Sequence, residues 1–401
     1  MMTFENNKLI LLDTSYVSNL LRNSIISLDI PIYIFNSNIE EKWESNMNII
    51  DDITLAHILQ KNSVKIYMNL ENPLNTLSKA IPNSRLVKSI DMFREKNKFR
   101  ELIKDRFREF FFTEKDTLNI CEVNVTKFPF PLIIKPSYGF FSEGVYLISK
   151  ISEWHSISQE YAEKMREIEK EPSRTINTKK VLIEEYISGK EYAVDAFFNS
   201  NGKPIILNIF LHLFGSNGDL RDVVYYTNKK VIQKMYKPIR ELLLFIHNQF
   251  KSQNLILENF PLHLEVRLTS KGEIIPIEVN PMRFAGWCTT DLAKRAYGIN
   301  TYEYFFKDKE PDWESILDQN EDLTYCFVIG HLPPDINKDE ISIDWNNYNK
   351  QFNEEAEIRK IKYKKINDCG IFAIVFDTVK NVSCLNKYLT MDSVQFLESK
   401  H

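Results

Sequence analysis

The stretch His263-Leu264-Glu265-Val266-Arg267-Leu268-Thr269-Ser270-Lys271-Gly272-Glu273-Ile274-Ile275-Pro276-Ile277-Glu278-Val279-Asn280-Pro281 is the most informative in this chain. Two alternating runs flank Ser270-Lys271-Gly272, which is the pattern of a hairpin. Alternate side chains on a strand share a face. His263 and Glu265 therefore share a face of the first strand, and Glu278 and Asn280 share one of the second. Paired across the hairpin, these side chains converge. Two carboxylates and an amide oxygen form a hard-oxygen set suited to Mg²⁺, with phosphate oxygens completing its shell. An ordinary exposed strand face shows the same alternation, so context has to decide. That context is the apolar run from Ile274 to Ile277, with Arg283 and Gly286 just beyond.

Two upstream segments supply it. In Lys135-Pro136-Ser137-Tyr138-Gly139-Phe140-Phe141-Ser142-Glu143-Gly144, a lysine closes an apolar strand and a glycine-bracketed turn follows. Backbone N–H groups of such a turn can cradle an anion while the lysine neutralises phosphate charge. A plain hairpin turn would use its glycines in the same way. No GxxxxGK[ST] occurs, so this is not a Walker A loop. In Glu184-Glu185-Tyr186-Ile187-Ser188-Gly189-Lys190-Glu191, a strand ends in two acids, turns, and resumes. An extended linker exposes backbone groups that can read a purine edge, and Glu191 can accept from ribose hydroxyls. Read singly, the segment is a charged loop between strands.

Nearer the N-terminus, KLILLDT (8–14), PIYIFNS (31–37) and VKIYMNL (64–70) read as buried strands joined by crossover stretches. They predict a small parallel α/β domain. No GxGxxG accompanies them, so dinucleotide binding there is unsupported. Apolar spacing predicts helices over Ile90–Phe111, Trp154–Lys170 and Lys230–Lys251. Beyond residue 320 come the strands CFVIGHL and GIFAIVFD and one helix near Val382–Tyr388, which could pack against the preceding domain or form a partner surface.

The chain has 401 residues, 43% of them hydrophobic, enough for two or three domains. Its net charge of −4 lacks the basic footprint of a nucleic-acid binder. Apolar runs are too short to span a bilayer. Glu5 precedes the first apolar run, which makes a poor signal peptide. The five cysteines are widely spaced with no CxxC. That argues against a disulfide framework or a structural zinc and for a reducing cytoplasm.

In chain order, a helix lysine, a strand lysine with a glycine loop, EEYISGKE and the Glu…Glu-Val-Asn hairpin resemble the ATP-grasp superfamily, over about Ser89 to Phe306. The resemblance implies an α/β chain with α+β elements in three parts. These are an N-terminal Rossmann-like parallel domain (1–90), an ATP-grasp domain (91–320) and a small C-terminal α+β portion (321–401). The lid lobe would run over about 112–187 and the base lobe over about 188–320. Family roles carry over residue by residue. Lys98, with Lys96 as a rival, resembles the helix lysine that contacts ATP phosphates, and Lys135 the second nucleotide lysine. Gly139, Ser142 and Gly144 lie in the lid loop, whose tip carries Phe140 and Phe141 where the family usually has small residues. Glu184, Glu185, Tyr186 and Ile187 resemble the adenine-reading linker, Glu191 the ribose acceptor, and Ile277 the residue under the adenine ring. Glu265, Glu278 and Asn280 resemble the Mg²⁺ ligands, with Mn²⁺ an alternative.

Arg283 and Arg267 are candidates to hold the acyl phosphate or the substrate carboxylate. In the family an arginine commonly follows Asn-Pro directly; here Met282 intervenes. Arg221, in a segment with Asp222 and Tyr226, could bind a carboxylate or be a solvated loop residue. Trp287 could wall the substrate pocket or be core. His263 reads as a supporting histidine. The implied activity is ATP-dependent carboxylate–amine ligation through an acyl phosphate, with ADP and phosphate released, as in stand-alone amino-acid or peptide ligases. The expected partners are small carboxylates and amines, with a homodimer left open. A non-catalytic ATP-binding scaffold and an acid–thiol ligase are the alternatives.

Overall fold

The computed structural model describes residues 7–35, 46–61, 63–139, 144–170, 176–215, 222–333, 336–366 and 370–399. The three N-terminal apolar runs form β1 (Lys8–Asp13), β2 (Ile32–Phe35) and β3 (Lys65–Met68), a parallel sheet in the order β2-β1-β3. β1 is buried from Leu9 onward, as an unbroken aliphatic run covered on both faces should be. Helices α1 (Asn19–Ser27) and α2 (Asp52–Leu59) lie between these strands, capped by the side chains of Ser18 and Asp51.

After α3 (Leu74–Ala80), the helix expected over Ile90–Phe111 is two: α4 (Arg85–Arg94) and α5 (Lys96–Ile103). They break at Glu95, whose backbone is extended (φ −82°, ψ 92°). The apolar spacing continues through the break because both helices press the same core, through Phe93 and Phe99 with ring centroids 5.4 Å apart.

A four-stranded antiparallel sheet of order β4-β7-β5-β6 follows, made of β4 (Phe112–Asp116), β5 (Leu132–Pro136), β6 (Tyr146–Ile148) and β7 (Lys180–Glu185). The helix α6 (Trp154–Glu169) joins its core through Tyr161, Ala162, Met165 and Ile168. This lobe thus has a core separate from the main one.

The larger sheet begins with β8 (Lys190–Phe198), β9 (Pro204–Leu213) and β10 (Val224–Thr227). The 24-residue α7 (Lys229–Ser252) starts at an Asn228 cap and buries a stripe from Val231 to Phe250. The hairpin β11 (Phe260–Leu268) and β12 (Ile274–Pro281) pairs in antiparallel register with a bulge between Glu265 and Val266. Short helices α8 (Leu292–Tyr297), α9 (Thr301–Phe306) and α10 (Trp313–Gln319) lead to β13 (Thr324–His331). Then come β14 (Ile341–Ile343), α11 (Trp345–Asn349), β15 (Glu357–Lys360), β16 (Ile371–Val379), α12 (Asn386–Leu389) and β17 (Leu397–Ser399).

The C-terminal strands do not stand apart. The main sheet has eight strands in the order β12-β11-β8-β9-β10-β13-β16-β15, so β13, β16 and β15 extend it. A boundary at residue 320 therefore divides the chain but not the sheet. No helix among the described residues is long and apolar enough to cross a membrane.

Candidate active site

A cavity of about 230 Å³ opens where the two antiparallel sheets meet. β5 and β7 wall it from the smaller sheet, and β8, β9, β11 and β12 from the larger. Lys135, Gly139, Glu184, Glu185, Tyr186, Ile187, Glu191, Glu265, Arg267, Ile277, Glu278, Asn280, Arg283 and Trp287 all line it. Residues far apart in sequence, such as Lys135 and Trp287, thus meet on one surface.

The hairpin register brings together the oxygen set. Glu265 lies directly opposite Glu278, and His263 opposite Asn280. Both carboxyl side chains stay about a quarter exposed, at 25% and 23%. Their environments differ. Burial pushes the Glu265 carboxyl well up, and Glu278, Glu191 and Asp222 push it further. Burial would raise Glu278 too, but Lys96 and Lys135 overcome this and hold it below the usual carboxylate range. A raised carboxyl facing an ionised one is the donor arrangement a divalent ion would satisfy. Among the described residues no three His, Cys, Asp or Glu side chains converge on one point. Any metal here would need oxygens from a bound ligand to fill its shell.

Of the two candidate helix lysines, Lys96 lines the cavity and Lys98 does not. Lys98 Nζ pairs with Glu95 at 2.7 Å on the surface, its side chain 54% exposed. Lys96 begins α5 just after the break, and its Nζ reaches 2.8 Å from the Gly139 carbonyl and 3.2 Å from Glu278 Oε2. The extended backbone of Glu95 turns Lys96 inward and leaves Lys98 on the outer face. Gly144, expected in the lid loop, is not among the lining residues. Its neighbour Val145 is. Ser142, Phe140, Phe141 and Arg221 lie outside the described residues.

Lys135 is engaged within the protein. Its Nζ lies 2.7 Å from Glu184 Oε1, while Arg100 Nε donates to Glu184 Oε2 at 2.8 Å. Burial alone would raise Glu184, but Arg100 and Lys135 hold it at about 2. The Glu184 side chain therefore braces β7 against α5. The linker backbone is partly committed as well. The N–H of Glu185 donates to the Phe111 carbonyl and that of Tyr186 to the Pro131 carbonyl. Ile187, Ile275 and Ile277 form an apolar patch with Phe110 beside it.

Arg267 lines the cavity and is engaged within the protein. Its Nε and NH2 donate to Glu191 Oε2 at 3.0 and 2.8 Å, and its NH1 to the Ile187 carbonyl at 2.7 Å. It braces the linker to β8, with its guanidinium 4.9 Å from the Tyr186 ring centroid. Glu191 is correspondingly occupied by Arg267 and by His212 Nδ1 at 2.9 Å. Gly189 between them has φ +140°, and a Cβ there would meet the Leu268 carbonyl oxygen at 2.1 Å.

Met282, which separates Arg283 from Asn-Pro, takes a left-handed backbone (φ 64°). That turn presents Arg283 to the cavity while its Nε and NH2 grip Glu71 of the N-terminal domain. Trp287 and Cys288 are also left-handed, both at φ 55°. Two such non-glycine residues in succession store roughly 1–3 kcal/mol each unless their surroundings enforce them. Arg359 of β15 supplies one enforcement, donating NH1 to the Cys288 carbonyl at 3.1 Å and pairing with Asp291 at 3.0 Å. The Nε1 of Trp287 is buried without a hydrogen-bond partner among the described residues. His263 is held by Asp195, which accepts from its Nδ1 at 2.8 Å, and lies 3.8 Å from Glu265.

Several lining residues escaped the sequence reading: His212, Phe214, Tyr225, Phe327 and Ile329. His212 follows from register alone, since β9 lies beside β8 opposite Glu191. Tyr225, rather than Tyr226, faces the cavity, because strand alternation sends Tyr226 into the main core.

The architecture is the ATP-grasp fold. Residues 128–291 match the family model described as the ATP-grasp domain. No curated protein matches the chain by sequence. Solved structures match its fold along nearly its whole length. An L-amino acid ligase from Bacillus licheniformis is 15% identical, with 99% of each chain covered and a TM-score of 0.65. A biotin carboxylase from Campylobacter jejuni is 10% identical, with 100% of this chain and 93% of that one covered and a TM-score of 0.64. An N5-carboxyaminoimidazole ribonucleotide synthetase from Thermotoga maritima is 13% identical, with 98% and 99% covered and a TM-score of 0.62.

Proposed function

We propose that this chain is an ATP-dependent carboxylate–amine ligase, acting on small molecules such as amino acids. It would form an amide through an acyl phosphate and release ADP and phosphate. The observation that carries this reading is the meeting of Lys96, Lys135 and Arg283 with Glu265, Glu278 and Asn280 around one cavity. Phosphate groups need such cations, and the carboxyl pair needs a cation of its own.

ATP would enter with its base against the Ile187–Ile277 patch and its phosphates toward Lys96 and Lys135. Glu265, Glu278 and Asn280 would hold Mg²⁺, which when bound disperses phosphate charge. Lys96, already between Gly139 and Glu278, would bring its charge to the phosphates. Lys135, fixed by Glu184, would present its charge without rearranging. Arg283 would orient the substrate carboxylate, with Glu71 fixing its plane. The substrate oxygen would attack the terminal phosphorus, and an amine would then attack the acyl carbon as phosphate leaves. Enclosure between the two sheets would limit hydrolysis of the acyl phosphate.

Four described cysteines (Cys121, Cys288, Cys326 and Cys384) are free thiols, which fits a reducing cytoplasm. The test is ADP formation from Mg-ATP with a pool of amino acids. A product lighter than two substrates by one water supports ligation. ADP formation with no condensed product rejects it.

A further inference from the structure

We propose that His212 is the base that takes the proton from the attacking amine, an inference that rests on the ligase reading above. His212 is the ninth residue of β9 and belongs to none of the motifs that marked the site. It is 4% exposed and lines the cavity. Its Nδ1 lies 2.9 Å from Glu191 Oε1. Burial opposes charge on Glu191, yet His212 and Arg267 keep its carboxyl below the usual range. An ionised carboxylate only accepts, so Nδ1 carries the proton and donates. In the neutral ring the lone pair then sits on Nε2.

That Nε2 is buried and has no hydrogen-bond partner among the described residues. A buried polar atom left unsatisfied is costly, which points to a ligand group as its partner. Asp222 Oδ1 lies 3.8 Å from it, beyond hydrogen-bond reach. Asp222 instead accepts from the Tyr225 hydroxyl at 2.6 Å. Among the described residues, the charged and titratable groups around the ring are Glu191 of β8, with Arg267 of β11 bound to it, Asp222, and Tyr225 of β10. The ring plane is fixed by Tyr225, stacked at 4.1 Å and 10°, and by Phe214 at 4.0 Å. A carboxylate that sets the tautomer, an aromatic clamp that sets the plane, and one uncommitted nitrogen are the parts of an oriented base.

The amine arrives as R–NH₃⁺, which has no lone pair. Nε2 takes one proton, and the electrons of that N–H bond form the new C–N bond. The acyl C–O bond to phosphate breaks, and phosphate leaves with the electron pair. A second amine proton leaves with the phosphate, and the imidazolium returns its own to solvent.

The test uses the full chain and two variants with Mg-ATP and a pool of amino acids, with and without hydroxylamine. H212N keeps a donor for Glu191 and deletes Nε2. H212Q places a non-basic polar atom near Nε2. Hydroxylamine is largely unprotonated at neutral pH and needs no base. Hydroxamate formation is expected to stay within about threefold of wild type, while amide formation at neutral pH falls by roughly 10²–10⁴-fold in both variants. The lost amide activity should return as pH rises through the titration of the free amine. Unchanged amide formation overturns the proposal, as does equal loss of both products in variants whose melting is unaltered. A wild-type protein that gives neither hydroxamate nor amide refutes the ligase reading itself, which separates the two failures.

Discussion

The ammonium of Lys96 lies 3.2 Å from the carboxylate of Glu278, joining the first residue of α5 to the second strand of the hairpin. It also holds the Gly139 carbonyl, so one side chain ties together a helix start, the loop after β5 and the oxygen set.

Lys96→Met should therefore weaken nucleotide use far more than Lys98→Ala. Losing a charge-assisted contact of about 1.5–3 kcal/mol corresponds to roughly 10–100-fold in kcat/KM for ATP. Lys98→Ala should change it less than about twofold, because that lysine meets Glu95 on the surface. Steady-state ADP formation for both variants checks the assignment, and a larger loss in Lys98→Ala would reverse it.

Glu184→Gln should destabilise the fold, because it leaves Lys135 and Arg100 buried beside a neutral partner. Breaking a buried pair in this way costs about 3–5 kcal/mol. The pH dependence has a definite sign. The folded carboxyl is held at about 2, below its unfolded value, so its contribution is present above the unfolded value near 4.3. It is lost as pH falls from there toward about 2. Guanidinium unfolding midpoints across that window should fall for wild type and stay flatter for the variant.

Much of this was legible in the sequence, for reasons tied to particular residues. Strand alternation put His263 and Glu265 on one face and Glu278 and Asn280 on another, but the direct pairing of Glu265 with Glu278 depends on the bulge between Glu265 and Val266, which alternation does not show. Aliphatic runs marked β1, β3 and β5. What escaped required knowledge of which distant strands are neighbours. His212 sits beside Glu191 because β9 packs on β8, and Phe327 reaches the cavity because β13 extends the sheet past β10. Lys96 and Lys98 could not be separated by spacing, since the break at Glu95 is a local backbone event. Arg267 has the right charge for a phosphate, but its partners Glu191 and Ile187 come from another strand and a linker.

Arg267→Lys should act on binding more than on chemistry. A lysine cannot span Glu191 and the Ile187 carbonyl as the guanidinium fork does. The linker would loosen, and KM for ATP should rise about tenfold with kcat within about threefold. A collapse of kcat with KM unchanged would mean that Arg267 touches the reacting groups, against its bracing role between Glu191 and the linker.

Gly189→Ala should be poorly tolerated. Its φ opposes a side chain, and so does the Leu268 carbonyl oxygen, which would stand 2.1 Å from the new Cβ. We expect a lower melting temperature and weaker nucleotide binding together. A variant that melts and binds like wild type would show that the linker relaxes freely at this point.

Ligation through an acyl phosphate is checked by giving purified protein Mg-ATP and a pool of amino acids and following ADP, phosphate and condensed products, with Glu278→Gln as the control. ADP and phosphate should form in equal amounts alongside an amide product, and all three should vanish in Glu278→Gln. AMP in place of ADP, or turnover undiminished in Glu278→Gln, would show that this chain does not ligate in that way.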